Sequence, residues 1–106
     1  MQCHMHLIEI FLPLFNNSKR GFDPSIYDNL ELELKDKFGG VTFYRNTPAE
    51  GLWKDEAGKT NYDELIIAEV MVNKWDMEWW QQLKVRLEQT FQQKEILIRV
   101  FEFGKL

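Results

Sequence analysis

The chain has 106 residues, of which 44% are hydrophobic and 28% are charged, values typical of a globular protein of one domain. Its net charge is −4, and no basic stripe gathers on any predicted element, so we expect no nucleic-acid partner. Cys3 is the only cysteine, which excludes an internal disulfide and predicts a reducing, cytoplasmic compartment. We also expect no membrane partner, because the N-terminus lacks the features of a signal peptide and no stretch approaches about 20 apolar residues.

The first half of the chain predicts a strand, a helix and a second strand. Met5–Phe15 is apolar on both alternating sides, which is typical of a strand at the centre of a sheet. Asp23 is a good N-cap, Pro24 suits the first helical position, and Gly39 begins the glycine pair that ends the helix. Val41–Arg45 is a strand by its β-propensity. The apolar stripe of the helix consists of Ile26, Leu30, Leu34 and Phe38.

The segment 46–64 is far longer than a tight hairpin needs. We predict that it forms a hairpin arm that extends beyond the sheet and turns at Asp55–Gly58. Pro48 indicates an irregularity before the arm. The arm carries the apolar residues Leu52, Trp53 and Tyr62, which need a surface to pack against.

The second half predicts a central strand, a helix and a last strand. Seven of the eight residues of Leu65–Val72 are apolar, which predicts burial on both faces; Glu69 is the exception and needs a partner or a role. Asp76 caps a helix that spans residues 77 to about 92. Glu95–Phe103 is the last strand. The core stripe of this helix consists of Trp80, Leu83, Leu87 and Phe91.

The order strand, helix, strand, strand, helix, strand predicts a fold of the α+β class. It is the βαββαβ plan of the ferredoxin-like fold, with a four-stranded antiparallel sheet and both helices on one face. In the usual strand order, 4-1-3-2, the first and third strands lie in the middle. These are the two strands whose composition predicts burial on both sides.

Alternation along the strands divides the side chains between the two faces of the sheet. The face toward the helices is expected to carry Ile8, Ile10, Ile66, Ala68, Val70, Ile96, Ile98 and Val100. The open face is expected to carry Leu7, Glu9, Phe11, Leu65, Ile67, Glu69, Met71, Leu97, Arg99, Phe101 and Phe103. Since a contiguous apolar patch above about 400 Å² marks an interaction surface, we expect a homodimer that covers this face.

Three charged residues, Glu9, Glu69 and Arg99, fall on the open face of neighbouring strands. One interpretation is a buried ion pair in a dimer interface, with the second carboxylate hydrogen-bonded or solvated. The other is a small catalytic site, in which crowding raises the pKa of one carboxylate so that it acts as a general base and Arg99 steadies an anion. Candidate catalytic residues are therefore Glu9, Glu69 and Arg99.

Two further motifs have ordinary structural roles. His4 and His6 lie on one side of a strand end, but the chain has no further His and only one Cys, so we expect no metal site. The run Ala57–Thr60 imitates the end of a phosphate-binding loop, but it lacks the first glycine of that motif and leads into a strand. Candidate ligand-binding residues are Trp53, Arg45 and Met71.

Several short motifs carry a resemblance to known proteins. The run Gly39–Thr42, then Gly51–Trp53, the pair Glu69–Val70 and the helix end Phe91–Glu95 resemble small bacterial α+β proteins of unassigned function. The fold plan is also similar to the dimeric α/β-barrel superfamily, in which two ferredoxin-like domains pack sheet to sheet. Members of that superfamily include haem-handling and quinone-forming monooxygenases, decyclising enzymes and stress-responsive proteins. The Asn, Trp and His pattern of its monooxygenases is not recognisable here, and we expect no cofactor.

Two functions from different classes follow from these observations. The first is a homodimeric module that binds a small organic ligand or a protein partner through its open sheet face. The alternative is a small cofactor-independent enzyme of the dimeric α/β-barrel type, with a carboxylate base in a pocket on that face.

Overall fold

A computed structural model describes residues 3–54, 56–58 and 60–106. The elements are β1 (Cys3–Pro13), α1 (Pro24–Phe38), β2 (Thr42–Lys54), β3 (Thr60–Val72), α2 (Met77–Thr90) and β4 (Ile98–Lys105). The four strands form one antiparallel sheet in the order β2-β3-β1-β4, which confirms the predicted topology and the central position of β1 and β3. Within the described residues, neither helix is long and apolar enough to cross a membrane.

The first helix has the predicted bounds, and both of its ends are capped as expected. The Asp23 carboxylate accepts a hydrogen bond from the backbone N–H of Ser25 at 2.9 Å, and this bond holds the pKa of Asp23 below its ordinary value. Gly39 takes a left-handed φ of 83° and donates its N–H to Lys35 O, which ends the helix.

Tyr27 of α1 is buried, although it lies beside the predicted apolar stripe and is not part of it. Its side chain is buried, and its hydroxyl donates to Pro13 O at 2.6 Å, tying α1 to the end of β1. Burial raises the pKa of the Tyr27 hydroxyl, so this donor keeps its proton at neutral pH. Because its hydroxyl is hydrogen-bonded, Tyr27 can be buried despite its polar group.

The core lies between the sheet and the two helices. The predicted alternation is confirmed at six helix-facing positions, namely Ile8, Ile10, Ile66, Ala68, Val70 and Ile96, all of which are buried. The predicted stripe of α2 is also confirmed, since Trp80, Leu83, Leu87 and Phe91 are all buried. Val100 departs from the expectation: it remains 39% exposed, in an edge strand whose residues are mostly exposed.

The first strand is displaced by two residues from the predicted span at both ends. Pro13 ends the strand because it has no N–H to donate to a ladder. The chain then turns around Asn16, whose side-chain oxygen accepts hydrogen bonds from the N–H groups of Ser18 and Arg20 at 2.8 and 3.0 Å. Phe15, predicted as the last residue of the strand, forms only an isolated bridge with Gly21.

The second and third strands are continuous with the segment predicted as an arm. Their register shifts between Tyr44 and Ala49, where Pro48 cannot donate to the ladder, and pairing resumes from Ala49 to Lys54. The ladder of β3 with β1 ends at the pair Pro13–Leu65, so the hairpin extends past the end of β1. Of the predicted turn, Asp55 lies outside the described residues.

The last strand begins at Ile98, three residues later than the predicted start at Glu95. Both backbone groups of Ile96 bind side chains of α2: the N–H donates to Glu88 Oε2 at 3.1 Å, and the carbonyl accepts from Lys84 Nζ at 2.6 Å. Lys84 Nζ also donates to Glu88 Oε2 at 2.9 Å. This clamp ties the backbone of Ile96 to α2. The neighbouring Leu97 O accepts a hydrogen bond from the N–H of Phe11 at 3.0 Å, so contact with β1 begins before Ile98.

The clamp predicts a pH-dependent contribution to stability. Hydrogen bonds, first from Lys84 and then from the Ile96 N–H, hold the pKa of Glu88 below its ordinary value of 4.5. The carboxylate therefore stabilises the fold above that value, and the stabilisation is lost as the pH falls through the lowered pKa. We expect Glu88→Gln to lower the free energy of unfolding at about pH 6, and the difference from wild type to shrink at about pH 3.

Urea unfolding of both proteins at the two pH values measures this effect. Glu95→Gln is the matched control, because Glu95 lies 3.8 Å from the same Lys84 but accepts no hydrogen bond from Ile96. A difference between wild type and Glu88→Gln that stays constant with pH would contradict the assignment.

Candidate functional site on the open sheet face

Four side chains form a straight line across the open face, one from each strand. The registers pair Thr42 with Glu69, Glu69 with Glu9, and Glu9 with Arg99. We call these four residues the acidic row. The structure thus brings together the three predicted catalytic residues, although their catalytic role stays a prediction.

Glu9 of β1 and Arg99 of β4 form an ion pair at one end of the row. Arg99 Nη2 lies 3.1 Å from Glu9 Oε1, with 19% of the Glu9 side chain and 50% of the Arg99 side chain exposed. The Arg99 guanidinium also lies over the rings of Phe11 and Phe101, at 4.7 and 5.8 Å from their centroids. Both rings therefore contact a cation, the guanidinium of Arg99, on this side of the sheet.

Glu69 has a weaker set of contacts than Glu9. Its Oε2 is 3.4 Å from the Tyr44 hydroxyl, which is a long hydrogen bond. The negative charge of Glu69 is the main cause that raises the pKa of Tyr44, so the phenol remains a neutral donor. Among the residues that the structure describes, no lysine, arginine or histidine forms a salt bridge with Glu69.

The row therefore holds two adjacent carboxylates and one cation. Glu9 and Glu69 are directly opposite each other on neighbouring strands, an arrangement that is destabilising for like charges. A second positive charge placed beside Glu69 would relieve this repulsion. Of the two carboxylates, Glu69 is the one without a salt bridge among the described residues, because Glu9 is already paired with Arg99.

Apolar side chains flank the acidic row on both sides. Toward one end of the strands, Leu7 pairs with Met71 and with Phe101; toward the other, Ile67 pairs with Phe11 and with Tyr44. Large parts of this surface face solvent in the single chain: Met71 is 50% exposed, Phe101 45% and Tyr44 40%. The site is a charged line inside an apolar, aromatic surface.

Two of the three predicted ligand-binding residues, Arg45 and Met71, lie on opposite faces of the sheet. Met71 lies on the open face, two residues beyond Glu69. Arg45 is held by α1, with Nη1 at 2.9 Å from Asp28 and Nη2 at 3.0 Å from Glu31, away from the acidic row. The backbone of Trp53 belongs to β2, but its side chain lies outside the described part of the structure.

Of the possible metal ligands at the start of β1, the side chains of Cys3 and His4 lie outside the described residues. The His6 ring stacks on Trp75 at 5.9 Å, and its Nε2 is 3.6 Å from Glu102. Within the described part of the chain, no group of three or more His, Cys, Asp or Glu side chains is arranged to hold a metal ion.

A shallow cleft of about 330 Å³ lies at the end of β3, apart from the acidic row. Its lining includes Lys37, Lys74 and Asp76, together with Met71. Met71 thus borders both the cleft and the open face, whereas Glu9, Glu69 and Arg99 do not line the cleft.

Two residues of the site, Thr42 and Tyr44, were not among the sequence-based candidates. Both belong to β2, an edge strand whose faces alternate like those of the others, so Thr42 opposite Glu69 places Tyr44 on the open face as well. Alternation within Val41–Arg45 could have placed this pair on one face, but which face it is depends on the register with β3.

Comparison with known proteins shows a similarity of fold. No family model matches the chain, and no curated protein matches it. A solved structure of a phage SAM lyase in complex with S-methyl-5'-thioadenosine is similar, with a TM-score of 0.63 and 12% identity over 95% of this chain and 88% of that chain. A phage SAM lyase in the apo state has a TM-score of 0.58 and 11% identity, over 98% of this chain and 89% of that chain. At such identities the similarity shows that this chain has the same α+β fold as those lyases.

Proposed function

We propose that this chain is a homodimeric small-molecule-binding protein of the cytoplasm, whose ligand is an organic cation held at the acidic row. The ligand class we infer is S-adenosylmethionine (SAM) and related sulfonium compounds. The observation that carries the proposal is the pair of adjacent carboxylates with a single cation, set among aromatic side chains.

Electrostatics favours a cationic ligand at this place. Glu69 lies beside Glu9, and within the described residues it has only the long contact to Tyr44. A positive charge that settles near Glu69 gains attraction from both carboxylates and removes their mutual repulsion. Within the acidic row, an anionic ligand would have only Arg99, whose charge is already shared with Glu9.

The aromatic surroundings favour an organic cation over a metal ion. Phe11 and Phe101 already lie close to the guanidinium of Arg99, and Tyr44 lies next to Glu69. Aromatic faces attract organic cations that carry apolar groups around the charge, as in the recognition of quaternary ammonium ligands. A sulfonium ion has the same character, since three carbon atoms surround its positive sulfur.

SAM also suits the other groups of the site. Its adenine ring is a flat apolar surface for the side chains flanking the row, and its carboxylate is a ligand for a half-exposed guanidinium such as that of Arg99. The fold shared with phage SAM lyases supports the same ligand class, one of those lyases having S-methyl-5'-thioadenosine bound.

Isothermal titration with SAM and with S-adenosylhomocysteine tests the proposal. The two molecules differ by one methyl group and one positive charge, so their ratio of affinities measures recognition of the sulfonium. We expect SAM to bind at least about tenfold more tightly, and Glu69→Gln to remove most of this preference. Equal affinity for the two ligands, or no binding of SAM, would overturn the proposal.

A matched control variant is Glu102→Gln, which removes the same charge from another strand of the same sheet. Glu102 pairs with His6 in the register of β1 and β4, on the opposite side from Glu9 and Arg99. This variant is expected to keep the preference for SAM.

The second candidate function is a cofactor-independent enzyme of the dimeric α/β-barrel type that cleaves SAM. The opposed carboxylates of Glu9 and Glu69 favour it. Among the residues that the structure describes, Glu69 has no salt bridge, so it can act as a general base while Arg99 steadies an anionic group. In such a cleavage the electron pair of a carbon–sulfur bond moves to sulfur, and neutral S-methyl-5'-thioadenosine leaves.

As the carbon–sulfur bond breaks, the carbon that loses sulfur gains an electron pair in one of two ways. In the first, Glu69 takes a proton from the carbon adjacent to the one that loses sulfur, and a carbon–carbon double bond forms. In the second, the carboxylate of the fragment attacks the carbon that loses sulfur and closes a ring, so no base is needed. Only the first way needs Glu69 as the proton acceptor. Chromatography of both products after incubation with SAM therefore distinguishes the two routes.

Release of S-methyl-5'-thioadenosine above the rate without protein would establish the enzyme. If elimination is the route, Glu69→Gln is expected to bind SAM weakly and to lose at least about a hundredfold in turnover. If SAM binds but no thioadenosine forms, the chain is a binding protein and the enzyme interpretation is wrong.

A further inference from the structure

The open face carries complementary features that a single chain leaves unused. Arg99 is half exposed, Glu69 has no salt bridge among the described residues, and the two lie on opposite sides of β1. We propose that a second copy of this chain packs on this face, about a two-fold axis parallel to the strands and above β1. In this arrangement Arg99 of each copy pairs with the partner's Glu69.

The order of the row dictates this geometry. Glu69, Glu9 and Arg99 follow one another on β3, β1 and β4, with neighbouring strands about 4.8 Å apart. A rotation about an axis above β1 exchanges the positions over β3 and β4. Two sheets packed face to face are about 10 Å apart, a distance that a long arginine side chain bridges.

The alternative two-fold axis, perpendicular to the strands, is disfavoured by charge. It would place Glu69 over the partner's Glu69 and Arg99 over the partner's Arg99. Like charges that face each other across an interface repel, and in other complexes such contacts exclude wrong partners. The parallel axis avoids both of these contacts. Either axis places Glu9 near the partner's Glu9, so that contact does not distinguish them, and each Glu9 retains its own Arg99 at 3.1 Å.

The apolar residues also match under the parallel axis. In one flanking line Met71 of one copy faces Phe101 of the other, and in the other line Ile67 faces Leu97. Met71, Phe101 and Leu97 are 50%, 45% and 48% exposed in the single chain, so each exposed side chain gains an apolar counterpart. A methionine sulfur against an aromatic ring adds a further favourable contact.

The dimer remains anionic at its centre. Two copies of the row contribute four carboxylates and two guanidinium groups, so pairing leaves an excess of negative charge between the sheets. In this dimer the partner's Arg99 lies beside Glu69, so the cationic ligand of the proposed function would be held by the remaining negative charge and not by an unpaired Glu69. The dimer rests on the homodimer of the proposed function and specifies its axis, but it is argued from the face alone and does not depend on the proposed ligand.

A charge exchange tests the proposed axis. Because of the symmetry, each substitution acts at two contacts, and we expect Glu69→Arg or Arg99→Glu to raise the dimer dissociation constant by at least about a hundredfold. The double variant, with both substitutions, restores opposite charges at both contacts and is expected to recover the dimer. It also keeps an arginine next to Glu9 within each chain, now on β3, so the double variant retains an ion pair in its own row.

Sedimentation equilibrium over a range of protein concentrations gives the mass of each variant, and circular dichroism confirms that each is folded. Glu102→Arg, a charge reversal on β4 away from the row, is the control and is expected to remain a dimer. A monomeric wild-type protein, or a folded double variant that stays monomeric, would overturn the proposal.

A second measurement remains decisive if a charge variant fails to fold. Leu7 lies on β1 and therefore faces the partner's Leu7 across the proposed axis. In a Cys3→Ser background, Leu7→Cys is expected to be joined to its partner by a short bismaleimide, whereas Leu32→Cys on the exposed side of α1 is not. Absence of the Leu7 cross-link at concentrations where the protein is dimeric would contradict the parallel axis.

Discussion

Ala68→Glu is expected to unfold the protein at neutral pH. Ala68 is completely buried on the helix-facing side of β3, between Ile10 of β1 and Phe43 of β2. A carboxylate there has no cation among its ladder neighbours, and an unpaired buried charge costs several kcal/mol, on the order of the whole stability of a small domain. Circular dichroism and urea titration at about pH 7 measure the loss.

The matched control is Ile67→Glu, the same new side chain one residue earlier on the other face of β3. Ile67 is half-buried on the open face, where a carboxylate reaches solvent in the single chain. We expect this variant to fold and to show weakened self-association. If Ala68→Glu folded as well as Ile67→Glu, the division of the sheet into a core face and an open face would be wrong.

Phe91→Ala is expected to lower the free energy of unfolding by about 3–5 kcal/mol. Phe91 follows α2 and has no exposed surface, and its ring packs edge-on against Phe22 at 4.9 Å and tilted against Tyr27 at 5.6 Å. Truncation leaves a cavity at the point where the loop after β1, α1 and α2 meet. Chemical unfolding monitored by tryptophan fluorescence gives the change.

Phe15→Ala serves as the comparison, because it makes the same truncation at a site that is 46% exposed. Its expected cost is within about 1 kcal/mol, since little apolar area is removed from the core. Similar losses for the two variants would mean that Phe91 is not the packing centre that its contacts indicate.

Much of the fold could be predicted from the sequence because the relevant signals are local or periodic. Asp23, Pro24 and Gly39 mark both ends of α1 through backbone chemistry that involves only their immediate neighbours. The period of α2 identifies its buried residues, and strict alternation along β3 separates Ala68 from Glu69. The apolar composition of β1 and β3 indicated the two central strands, which in turn favoured the observed strand order.

Other features required the tertiary structure because they depend on residues far apart in the chain. The attachment of Ile96 to α2 depends on Lys84 and Glu88 binding its backbone, and no local pattern around Glu95 reveals that contact. The burial of Tyr27 likewise depends on the free carbonyl of Pro13. Arg45 was a candidate for ligand binding on its residue type, but α1 supplies two carboxylates that hold it.

The acidic row shows the same division most clearly. Alternation alone placed Glu9, Glu69 and Arg99 on the open face, since side chains in a strand point to opposite sides in turn. Their alignment in one line with Thr42, and the contact of Tyr44 with Glu69, depend on the registers between strands. Register is a property of paired backbones, and a shift of one residue would have moved each side chain to the other face; only the folded sheet could decide it.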